Sequence, residues 1–116
     1  QEFETDYWTG VIFTTNRRVW EHDEKFKERL IEARAIGIDM ETATLFTAGF
    51  ANEIPRGALL LVSDNPMIPS GVKTDESDKS VTSQFVELHV NIGIRALEEL
   101  RDSGSSVKHM RFDHRP

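Results

Sequence analysis

Cysteine is absent from this chain of 116 residues. That excludes disulfides, thiolate nucleophiles, cysteine-ligated zinc and iron–sulfur clusters, and it fits a reducing compartment, so the expected location is the cytoplasm. Glycine and proline are few, 7 and 4 residues, which excludes collagen-like and low-complexity chains. Long hydrophobic runs are missing as well. The longest strictly apolar stretch is Ala58-Leu59-Leu60-Leu61-Val62, against roughly 20 residues for a membrane-spanning helix; no membrane association is expected. Nor is there an excess of positive charge: 14 basic residues face 20 acidic ones, for a net charge of −6. Generic neutralisation of a phosphate backbone is disfavoured, so no nucleic-acid partner is expected, although a local pair of arginines can still hold a single phosphate.

What is present is 38% apolar and 29% charged residues, enough for one compact domain and not for two. The first residue is Gln1, with neither an initiator methionine nor an apolar signal sequence. The chain therefore reads as a piece of a longer polypeptide, and any site in it as part of a site.

Hydrophobic patterning gives the order of elements. Thr9 to Thr15 is β-branched and aromatic after Gly10, a strand, and Asn16-Arg17-Arg18 follows as a polar loop. From Glu21 the pattern is helical, with Phe26, Leu30, Ile31 and Ala33 at helix-face spacing. Ala35 to Met40 reads as a short buried strand, and Glu41 to Asn52 as a helix whose small residues, Ala43, Ala48, Gly49 and Ala51, permit close approach. After Pro55 and Gly57, Ala58–Val62 is the strongest strand signal, of the all-apolar kind found inside parallel sheets. Met67 to Ser80 reads as a loop, with Asp75-Glu76-Ser77-Asp78 as a solvated stretch or helix start. Val81 to Arg101 is a long helix with Phe85, Leu88, Ile92, Ala96, Leu97 and Leu100 on one stripe, ended by Gly104. The tail from Val107 is either an edge strand or disordered. The order βαβαβα implies an α/β fold with a mainly parallel twisted sheet flanked by helices. Three such strands would leave two bare edges.

Ligands collect at the carboxyl ends of strands in α/β sheets. Three polar clusters fall there: Thr14-Thr15-Asn16-Arg17-Arg18, Asp39-Met40-Glu41-Thr42 and Ser63-Asp64-Asn65. Each alone reads equally well as a helix cap or turn. Together they put two carboxylates and an arginine pair at one crevice. His22, His89, His109 and His114 have no metal-ligand spacing, and neither a glycine-rich phosphate loop nor a calcium loop is present, so no metal and no cofactor are expected.

Ile38-Asp39-Met40-Glu41-Thr42-Ala43 resembles the Met-Glu segment of the purine nucleoside phosphorylase and nucleosidase superfamily. Leu61-Val62-Ser63-Asp64 resembles its second motif, a buried strand ending in Ser-Asp, and 23 positions separate Glu41 from Asp64, room for one helix and one strand. Thr14 to Glu21, Asp64 to Pro69 and the tail Val107 to Phe112 are similar to the bacterial AMP nucleosidases within that superfamily. The resemblance implies that residues 1–116 are the C-terminal portion of a single catalytic domain, and that the whole protein hydrolyses the N-glycosidic bond of AMP to adenine and ribose 5-phosphate.

It also implies roles. Asp64 matches the acid that assists the departing purine at N7, a task that needs a carboxyl desolvated at the end of a buried strand; Ser63, beside it, is a candidate to orient that carboxyl on the substrate-binding side. Glu41 matches the ligand of the ribose 2′- and 3′-hydroxyls, for which a carboxylate has acceptors enough. Met40 matches the residue packed on the ribose face, although by itself it reads as core. Arg17 or Arg18 is a candidate reader of the 5′-phosphate, with a solvated or subunit-interface pair as the alternative. Trp20 reads as a packing residue. The substrate implied is AMP or a related purine nucleotide, and the assembly a homo-oligomer that includes the N-terminal part of the chain. A nucleoside phosphorylase using phosphate as nucleophile, or a non-catalytic assembly module of the same fold, are the alternatives.

Overall fold

The structure is a computed structural model that describes residues 5–71 and 74–104. Its elements run β1 (Val11–Thr14), α1 (Glu24–Glu32), β2 (Ala35–Asp39), α2 (Thr42–Ala51) and α3 (Asp75–Ser103). The tail from Val107, with His109 and His114, lies outside the described residues.

Strands β1 and β2 form a two-stranded parallel sheet in which Phe13 opposes Ile38 and Thr14 opposes Asp39. The register slips between Val11 and Ile12, which face Ala35 and Gly37 and leave Ile36 as an extra, exposed residue. Alternation along the pleat then sorts the side chains. Phe13, Ala35 and Ile38 pack towards α1, and Thr14 and Asp39 are directly opposed neighbours at the carboxyl end of the sheet.

Helix α1 starts where Asp23, in an extended conformation, accepts the Phe26 backbone N–H at 3.0 Å. Phe26 and Leu30, four apart on one face, are buried with Trp20, the packing residue expected from the sequence. Phe26 meets Phe13 edge-on at 5.7 Å and Trp20 at 5.5 Å. This cluster between α1 and the sheet is the core.

In α2 the small residue that matters is Gly49, which is buried. A Cβ there would lie 2.7 Å from Arg56 Cδ and 3.3 Å from the Ile54 carbonyl oxygen, so its smallness serves the chain returning after the helix. Helix α3 begins six residues before the Val81 expected from its apolar stripe. Asp75, Glu76 and Asp78 occupy its first turn, where carboxylates complement the helix dipole. It ends at Gly104, whose N–H bonds the Leu100 carbonyl at 3.0 Å and whose φ of 63° turns the chain out of the helix.

One expectation is overturned. Ala58–Val62 forms no strand and pairs with neither β1 nor β2; Leu59, Leu60 and Val62 are exposed. An all-apolar strand is made by its two neighbours and by helices on both faces. Among the described residues the sheet is two-stranded, so this segment has the composition of an interior strand without the surroundings of one.

Candidate functional site

The carboxyl ends of β1 and β2 open into a cleft of about 460 Å³. Its walls are the end of β1 and the loop after it (Phe13 to Arg17), Phe26 and Arg29 of α1, Met40 after β2, and Thr44 of α2. Two of the three polar clusters thus meet at one end of the sheet.

The joint between them is a hydrogen-bonded circuit around Asp39. Thr14 Oγ1 donates to Asp39 Oδ1 at 2.7 Å, and the Thr42 backbone N–H donates to Asp39 Oδ2 at 2.9 Å. The Thr42 hydroxyl bonds the same Oδ2. Thr14 Oγ1 in turn accepts the Ala43 N–H at 3.0 Å, and the Thr15 N–H reaches the Asp39 carbonyl at 2.9 Å. Burial pushes the Asp39 carboxyl up, but the bonds from Thr42 and Thr14 and the Thr42 and Glu41 backbone N–H groups outweigh it, holding its pKa below the ordinary aspartate value.

Met40 and Glu41 sit between that anchor and the first turn of α2. Met40 is exposed on the cleft wall. Glu41 is the N-cap residue of α2 yet makes no side-chain cap bond; its Oε2 accepts the Met40 N–H at 3.2 Å, and the residue is exposed.

Arg17 also lines the cleft. Its Nη1 pairs with Asp23 at 2.7 Å, and its guanidinium lies 5.0 Å from the centre of the Phe26 ring. The Phe26 N–H and then the Arg17 contact hold Asp23 below its ordinary pKa. The Arg17 backbone N–H bonds Thr15 Oγ1 at 3.0 Å, fixing the turn out of β1. Arg18 is exposed and is not among the cleft-lining residues.

Ser63 and Asp64 are half-buried and bonded to each other, with Ser63 Oγ donating to Asp64 Oδ1 at 2.5 Å. They do not line the cleft. The expected gathering of two carboxylates and both arginines at one crevice is thus not what the described residues show: Arg17 and Met40 line the cleft, while Glu41, Arg18 and the Ser63–Asp64 pair are not among its lining residues. The reason is the one given for Ala58–Val62. Asp64 was to be carried to the cleft by a third parallel strand, and that strand is not formed.

Sequence reasoning placed Asp39 and Thr14 in the polar clusters at the strand ends but gave neither a role of its own. The signal was present: Asp39 precedes Thr42 by the same three-residue step by which Asp23 precedes Phe26, the spacing of a carboxylate that caps a helix. That the second cap comes from Thr14, 29 residues away, follows only from the strand register.

Comparison with known proteins gives this geometry a family. Two relatives are AMP nucleosidases, of Escherichia coli strain K12 and of Escherichia coli O157:H7, each 36% identical over 100 residues. Those residues are 85% of this chain and 20% of the relative, so the chain spans about one fifth of the length of the curated relatives it matches. No solved structure matches. The family match extends over residues 1–98, most of the chain, and on that ground the chain belongs to the phosphorylase superfamily.

Proposed function

We propose that this chain supplies the purine- and ribose-binding side of an active site that hydrolyses the N-glycosidic bond of AMP. The observation that carries the reading is the meeting of Arg17 and Met40 in the cleft at the carboxyl ends of two parallel strands, with Glu41 next to Met40 at the N-cap of α2, in a chain 36% identical to AMP nucleosidases. Water forms a bond to ribose C1′ as the C1′–N9 bond breaks; the electron pair leaves with adenine, and the sugar becomes ribose 5-phosphate. Positive charge grows on the ribose and negative charge on the base, and the residues answer each.

Glu41, with Oε1 open, accepts from the ribose hydroxyls and favours the cationic sugar; Met40 packs on its face. Arg17 commits one nitrogen to Asp23 and keeps further donors of its fork for the 5′-phosphate. Arg18 is the alternative reader. Asp64, oriented by Ser63, protonates or hydrogen-bonds purine N7. That role needs the wider, twisted and mainly parallel sheet flanked by helices of a catalytic domain of which residues 1–116 are the C-terminal portion. The remaining phosphate ligands and the base that activates water belong to the rest of that domain, in a cytoplasmic homo-oligomer.

The test is adenine release from AMP by the whole protein carrying Asp64→Asn. Loss of the general acid should slow turnover at least about a hundredfold; near-normal turnover would remove Asp64 from the mechanism. Formation of ribose 5-phosphate without added phosphate separates hydrolysis from a phosphorylase reaction, which would yield ribose 1-phosphate from the nucleoside.

A further inference from the structure

We propose that Asp39 and Thr14 are positioning residues: they cap α2 in place of Glu41, and so leave the Glu41 carboxylate free for the ribose. The inference rests on the reading of Glu41 given above.

The first turn of a helix presents backbone N–H groups with no partner inside the helix, and the N-cap side chain ordinarily accepts one of them. At α2 the N-cap residue is Glu41, and its side chain accepts none. The work is done by residues outside the helix. The Thr42 N–H is taken by Asp39 Oδ2 at 2.9 Å, and the Ala43 N–H by Thr14 Oγ1 at 3.0 Å. Thr14 then donates its own proton to Asp39 Oδ1 at 2.7 Å. The Thr14 hydroxyl thus both donates and accepts, and both carboxylate oxygens of Asp39 are engaged.

The consequence falls on the two residues in between. Met40 and Glu41 are held on one side by Asp39, the last residue of β2, and on the other by Thr42, the first of α2. A glutamate that turned inward to cap its own helix would be lost to a ligand. Here its Oε2 accepts the Met40 N–H, and the exposed residue lies between Met40 and Thr44, two residues that line the cleft. The helix end adds a favourable field for the negative charge without consuming an acceptor.

The readout is the preference of the whole protein for AMP over 2′-deoxy-AMP, measured as the ratio of kcat/KM values. Glu41→Gln should collapse that preference, because the carboxylate recognises the 2′-hydroxyl. Thr14→Val should lower kcat/KM for AMP about tenfold, and for 2′-deoxy-AMP by less than about threefold, the effect of one displaced hydrogen bond acting through Glu41. Thr14→Ser, which keeps the hydroxyl, should retain the parent preference. Asp39→Asn repeats the test should Thr14→Val fail to fold. Equal losses on both substrates in the Thr14 and Asp39 variants, with Glu41→Gln selective, would mark the circuit as structural only and overturn the inference alone. An unchanged preference in Glu41→Gln would instead overturn the ribose reading, and the inference with it.

Discussion

Asp39 contributes more local order than the glutamate two residues after it, and its chemistry makes that measurable. Burial raises its pKa, and the bonds from Thr42 and Thr14 lower it by more. An aspartate that binds its proton less readily when folded stabilises the fold fully above its unfolded pKa, ~3.9, and that stabilisation is lost as pH falls through the lower folded value. Urea midpoints of the parent should therefore drop below about pH 4 more steeply than those of Asp39→Asn, which has no such proton to take up; parallel curves would mean that Asp39 does not stabilise the fold through its charge. The carboxylates that end the strands were visible in the sequence, because polar residues after an apolar run stand out. Their division of labour was not. Nothing in the order Asp39-Met40-Glu41-Thr42 says which carboxylate serves the helix and which stays open, since that depends on Thr14 arriving from β1.

At the scale of elements, periodicity carried β1, α1, β2, α2 and α3, because each depends on its own residues and on near neighbours. Helix ends were less legible. The chain leaves α1 through Arg34 and α2 past Glu53, both with positive φ, 52° and 54°, positions that usually belong to glycine. At Arg34 the left-handed turn delivers β2 into register: the Ala33 N–H closes on the Arg29 carbonyl and the Arg34 N–H on the Ile31 carbonyl, each at 2.9 Å, just before Ala35 pairs with Val11. The Cβ of an arginine there costs ~1–2 kcal/mol, part of which a glycine would return as unfolded-state entropy. Arg34→Gly should thus raise stability by about 0.5–1 kcal/mol, read as a higher urea midpoint at unchanged slope. A lower midpoint would show that the Arg34 side chain does more for the fold than its strained backbone costs.

For the molecule as a whole, the third strand was the feature sequence could not decide, because a strand inside a sheet is a property of its neighbours. Ala58–Val62 has interior composition, and yet Leu59, Leu60 and Val62 stand in the open, as do Leu45 and Phe50 of α2 and Phe85, Leu88, Ile94 and Leu97 of α3. Among the described residues the buried core is Trp20, Phe26 and Leu30. The radius of gyration, 16.8 Å, exceeds the ~13 Å of a compact domain of about this length. Apolar surface on this scale is rarely left in water by a stable monomer, and a core this small leaves little margin over the entropy of ordering the chain. Both observations lead to the same expectation for the 116 residues expressed alone. They should bind a hydrophobic dye such as ANS, associate at micromolar concentration, and fail to release adenine from AMP. In the whole protein proposed above, the dye signal should fall, open-ended association should give way to an oligomer of defined size, and adenine release should appear, because covering these faces and completing the sheet are the same event. A dye-silent, monomeric and catalytically active 116-residue chain would show instead that the two-stranded unit is sufficient, and that the exposed faces serve something other than the rest of a catalytic domain.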